Sequence, residues 1–160
     1  MKNPTPGKTV LAGTAGGLAM NVAMFLTFRL LGFGWEGDGI LLDPALQSPK
    51  LIDVWTRLEP LPLVVSNPPM FIAGLIFFGI GHAFVYRWLS RSWPDGIWAR
   101  TWRMALLLFF LSYFFWEFFT PLNQFGEPLP LIGIELLFWA VIALSEALAI
   151  AAVMDGGSRS

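Results

Sequence analysis

The chain has 160 residues, 56% of them hydrophobic and only 13% charged, with a formal net charge of -1 and no cysteine. That is about half the charged complement of a soluble domain, and a single soluble core of this size has no room for so much apolar surface. The charge excludes the basic field that nucleic acid requires, and the missing cysteines exclude disulfides, thiol chemistry, iron–sulfur clusters, thiolate zinc sites and a lipoprotein anchor.

Read in chain order, four apolar runs reach the ~20 residues that a helix needs to cross a ~30 Å hydrocarbon layer. They lie near 9–31, 69–89, 101–120 and 131–153. The first follows Lys2 and Lys8. A signal peptide also starts with positive charge, but the apolar stretch from Thr9 to Phe28 is longer than its hydrophobic region, and Arg29-Leu30-Leu31-Gly32 offers no small-residue cleavage site. A retained helix is expected. Gly13, Gly17 and Asn21 recur at four-residue intervals along it, a seam where backbones can approach and an amide can bond across.

The segment 32–68 is expected outside the spans, with a short amphipathic helix near 49–58. Leu51, Ile52, Trp55 and Leu58 share one face of it, opposite Lys50, Asp53 and Arg57. It suits either a lid on the bundle or a helix lying on lipid headgroups. Asn67-Pro68-Pro69 supplies a cap and early-helix proline for the second span. Ser92-Trp93-Pro94-Asp95-Gly96 breaks the chain before the third. Pro121, Pro128 and Pro130 bound the link to the fourth, and Asp155-Gly156-Gly157-Ser158 ends it. Ala143, Ala147 and Ala151 form a second row of small residues.

Lys and Arg set the expected direction. Lys2, Lys8, Arg87, Arg91, Arg100, Arg103 and Arg159 fall on one side, with only Lys50 and Arg57 on the other. Both termini are therefore expected in the cytoplasm and the protein in the plasma (inner) membrane. Trp88, Trp93, Trp98 and Trp102 flank the basic link, as amphipathic rings do at a headgroup boundary. The predicted fold is all-α: one four-transmembrane-helix domain over 1–160, with no internal repeat.

The groups that need explaining are polar residues inside the runs. A bare charge at mid-membrane costs about 2.5–3.5 kcal/mol on insertion scales, so Glu117, Glu135 and Glu146 must be paired, protonated or wetted. At ~1.5 Å per residue, Arg29, Glu117 and Glu135 fall in the outer third. His82 and Glu146 fall in the inner half, within ~4 Å of each other in depth, with Asn21 nearer the midplane. Two polar layers are expected: Arg29 with Glu117 and Glu135, reachable by Tyr113, and His82 with Glu146 and Asn21. Glu135 and Glu146 stand eleven residues apart and so share a helical face. Such layers can fix helix register, or mark a pathway or binding site. His82 and Glu146 are the best binding candidates, because each can tune the other's protonation.

Recognisable catalytic patterns are missing. One His makes no bis-His haem site and no Glu-x-x-His pair for a di-iron bundle. No phosphate-binding loop, dinucleotide fingerprint or Gly-x-Ser-x-Gly elbow occurs, and the spans hold no Asp. No catalytic residue, metal or cofactor is expected. Three roles remain open: a non-catalytic accessory or interaction subunit, a carrier or binder of a small amphipathic or proton-linked ligand at His82 and Glu146, and a membrane enzyme using Glu117 and Glu135. The expected surroundings are the lipid bilayer and other membrane subunits or further copies of the chain. The accessory role would set the Gly13/Gly17 or Ala143/Ala147 row against another chain.

Overall fold

A computed structural model describes residues 5–156; Lys2, Arg159, Gly157 and Ser158 lie outside them. The described residues are helical with no strand. Four helices are long and apolar enough to cross a membrane: α1 (Pro6–Gly32), α3 (Pro68–Ser92), α4 (Ile97–Leu122) and α5 (Leu129–Asp155). Between the first two lies the short helix α2 (Pro49–Thr56).

Capping explains the helix starts. Thr5 accepts the Lys8 amide at 3.3 Å with Pro6 at the first helical position, and Asn67 does the same for Met70 at 3.2 Å ahead of Pro68. Gly96, at φ 117°, turns the chain into α4 four residues before the hydropathy run begins. That extra turn is amphipathic, which is why hydropathy alone does not see it. Helices α1 and α4 each contain wider π-helical turns, over Phe25–Gly32 in α1 and over Phe109–Tyr113 and Phe118–Leu122 in α4. Pro121 lies in the last of these, where its missing N–H would interrupt a regular α-helical ladder.

Helix α1 packs between α3 and α5, and α5 packs between α1 and α4. The glycine row of α1 lies directly on α3. A Cβ on Gly13 would stand 2.8 Å from the Gly79 carbonyl oxygen, and one on Gly17 would stand 2.9 Å from that of Leu75. These backbones touch because nothing larger than hydrogen intervenes. The alanine row of α5 is buried with Ala83, Tyr86, Met104 and Leu108. Both small-residue rows are thus used within the chain.

Lys8 Nζ reaches the Met154 carbonyl at 2.8 Å, so the start of α1 and the end of α5 share one end of the molecule. The same end is tied by a polar clasp. Buried Arg100 donates to Asp155 and to Asp95, each at 2.7 Å, and Tyr86 donates its hydroxyl to the other Asp155 oxygen at 2.5 Å. Residues of α3 and α4 thus meet that aspartate of α5, and the loop before α4 joins the clasp through Arg100. At the opposite end, the 33–67 connection folds over the bundle as a lid. Leu41 and Leu51 are buried, Trp55 packs on Phe33 at 4.6 Å, and Ser48 and Lys50 bond the Phe125 and Gln124 carbonyls. The exterior between the ends is apolar, with Phe77, Phe78, Leu111, Phe115 and Leu137 exposed.

Candidate functional site

The polar interior begins on α3. His82 Nδ1 lies 2.7 Å from Glu146 Oε1 of α5, joining the two groups that depth alone paired. Glu146 is 0% exposed while the His82 side chain keeps 21%, so the pair opens toward the flank of the bundle through the imidazole. The second Glu146 oxygen accepts the Tyr113 hydroxyl at 3.3 Å. That hydroxyl also lies 3.1 Å from Met20 Sδ of α1. One carboxylate therefore meets groups from two other helices, and Gly16 of α1 leaves room beside it: a Cβ there would come within 3.4 Å of Glu146 Cγ.

Tyr113 was expected to reach the layer of Glu117 and Glu135. Its hydroxyl instead serves Glu146, while its ring stacks on Trp139 at 4.6 Å and 10°. The π-helical turn that ends at Tyr113 lies between it and the regular phase of α4, which alters the direction a side chain takes from its position in the sequence.

Trp139 leads to the second group. Its indole N–H donates to Glu117 Oε1. Glu117, Glu127 and Glu135 are all buried, at 2%, 2% and 7% exposure, and one oxygen from each lies within 4.8 Å of the others. Gln47, from the lid, donates its amide to Glu127 Oε1 at 2.5 Å and to the Leu41 carbonyl at 3.2 Å. Its own oxygen accepts the Ser48 N–H at 2.8 Å, which fixes the amide orientation. Oε2 of Glu117 and Oε2 of Glu127 are buried and take no N–H or hydroxyl donor. Burial pushes the Glu127 carboxyl above the usual carboxylate range, against the lowering pull of the Gln47 and Glu135 hydrogen bonds.

Two expected members stand elsewhere. Arg29 does not pair with Glu117 or Glu135. Its guanidinium donates to the Gly34 and Trp35 carbonyls and lies 5.4 Å from the Trp35 ring. The carbonyls past a helix end are unpaired acceptors, and a long cationic side chain that can reach them keeps its charge at the surface. Asn21 does not join His82 and Glu146. It donates to the Gly17 carbonyl at 2.9 Å and the Ile72 carbonyl at 3.4 Å, and so belongs to the α1–α3 seam.

Sequence reasoning missed Glu127, Gln47 and Trp139. Glu127 lies between Gly126 and Pro128 in a connecting segment, where an acid is ordinarily solvated. The available signal is its position between two intramembrane glutamates on a link too short to carry it far from either. Two open surface clefts lie at the molecule's ends, one lined by Leu30, Trp35, Asp38 and Ile40 and the other by Asp95, Trp98, Leu148 and Ala152; neither is lined by the buried carboxylates. Comparison of the chain with known protein families, with curated proteins and with solved structures returns no match.

Proposed function

We propose that the chain is a non-catalytic multipass protein of the plasma membrane, with both termini cytoplasmic, whose interior binds a small amphipathic or proton-linked ligand at His82 and Glu146. The observation that carries this reading is the 2.7 Å His82–Glu146 contact, with the carboxylate sealed and the imidazole still open to the flank. Buried, protein-facing ionisable groups in a membrane are costly, and binding is a role that justifies them. The neighbouring rings favour an aromatic or lipophilic cation: Tyr113 touches the carboxylate, and Phe78 lies 6.3 Å from the imidazole. A subunit role draws less support, because both small-residue rows that would meet a second chain are occupied within this one.

The test is equilibrium binding of tetraphenylphosphonium to the purified protein in detergent. Glu146→Gln and His82→Ala should each weaken it at least about tenfold. Unchanged binding in both variants would overturn the reading. The cytoplasmic placement rests on Arg87, Arg91 and Arg103 at the end shared with Lys8. Topology reporters fused in the 93–96 and 123–126 links should report opposite sides, cytoplasmic for the first.

A further inference from the structure

The three-carboxylate group at the lid end is electrostatically incomplete. Three carboxyl groups share a space where no Lys or Arg among the described residues forms an ion pair with any of them. Arg29, the expected counter-ion, is bonded to loop carbonyls. Lys50 donates to the Gln124 carbonyl and lies beside the Phe125 ring.

Beyond the shortage of positive charge, the oxygens are unequal. Glu117 and Glu127 each have one oxygen held by a fixed donor, the Trp139 indole in one case and the Gln47 amide in the other. The remaining oxygen of each, on residues 98% buried, takes no N–H or hydroxyl donor, and the group that stands beside both carboxyls is a third acid, Glu135. A buried carboxylate oxygen without a donor loses the hydration it had in water and gains nothing in return. Carboxylates that ligate a metal show this division, with one oxygen oriented from behind and the other presented to the ion.

We propose that Glu117, Glu127 and Glu135 hold a hard divalent cation of calcium's class beneath the lid. The donors are all oxygen, which selects hard ions over zinc or copper. Ligand atoms within 4.8 Å of one another surround an ion whose oxygen bonds run ~2.3–2.6 Å, and leave places for water. Gln47 is a positioning residue: it bonds Glu127 and carries the lid onto the site. The site stands independently of the reading given to His82 and Glu146, since it shares none of their residues.

The experiment uses the full chain in detergent, stripped with a chelator, with calcium, magnesium or sodium chloride added at matched ionic strength. Calcium should raise the thermal midpoint saturably, by about 5 °C or more at full occupancy, and magnesium less. Terbium, a calcium surrogate, should show tryptophan-sensitised emission because Trp139 bonds a ligating carboxylate, and calcium should quench it by displacement. Glu117→Gln, Glu127→Gln and Glu135→Gln should each abolish both responses. Gln47→Leu should weaken calcium about tenfold without removing the site. Absence of both a thermal and a terbium response in the wild type would overturn the proposal, as would equal responses in all three glutamine variants. Magnesium acting as strongly as calcium would overturn the assignment to calcium's class.

Discussion

Glu146 is the best-partnered of the buried acids, and its partners differ in what they supply. Tyr113→Phe removes one neutral hydroxyl from a carboxylate that keeps His82, so about 1 kcal/mol of stability should be lost. His82→Ala strips the stronger partner from a fully buried acid, and the loss should reach about 3 kcal/mol. Chemical unfolding in mixed micelles measures both. Glu127 provides a pH dependence with a definite sign. Its folded pKa is raised, so the fold prefers the protonated acid. The stability this contributes is complete below the ordinary 4.5 and is lost as pH rises through the higher folded value. In chelator, the thermal midpoint should therefore fall as pH rises from about 4.5 toward neutrality, and Glu127→Gln should flatten that slope. His82, Glu117, Glu135 and Glu146 stand out in the sequence because each interrupts an apolar run. Glu127 and Gln47 do not, since acids and amides in loops are commonplace. Trp139 resembles any other ring of a greasy helix until its N–H is seen to meet Glu117.

At the scale of elements, the α1–α3 seam makes a prediction against ordinary helix propensity. Gly→Ala in a helix normally adds about 1 kcal/mol. At Gly13 and Gly17 the new Cβ would meet the α3 backbone, so each alanine should destabilise by about 2 kcal/mol or more. Gly74, on α3 with open space around it, should respond in the ordinary direction. Thermal unfolding of the three variants separates the cases. The four long helices are legible from hydropathy, because ~20 apolar residues have few other destinations. The α1 side of the seam is legible as well, through Gly13 and Gly17, but the α3 residues that meet them are not, since a row of small residues does not say which helix it faces. The lid is legible as an amphipathic helix, but its docking is not, since a face of Leu and Trp suits a headgroup layer as well as a protein surface. The turn that aims Tyr113 is invisible too, because π-helical insertions leave the composition unchanged.

For the whole molecule, α1 and α5 form the central pair, and polar groups line their length from the Arg100–Asp155 clasp to the Gln47–Glu127 contact under the lid. Arg100→Gln should cost about 3 kcal/mol, because it leaves Asp155 with fewer donors in a half-closed site. Asp95→Asn, on the exposed arm of the same clasp, should cost under about 1 kcal/mol. Unfolding midpoints of the two variants check that asymmetry. Common to all these features is that the buried acids face one another and their partners across the bundle, with their backs to the acyl chains. The chain's single histidine permits a direct measurement. With nitrogen-15 in histidine and carbon-13 in glutamate carboxyls, rotational-echo solid-state NMR in lipid bilayers should show strong coupling between the imidazole Nδ1 and one carboxyl, at the separation set by the 2.7 Å contact, and Glu146→Gln should remove it. A histidine with no coupled carboxyl in the bilayer would contradict the account.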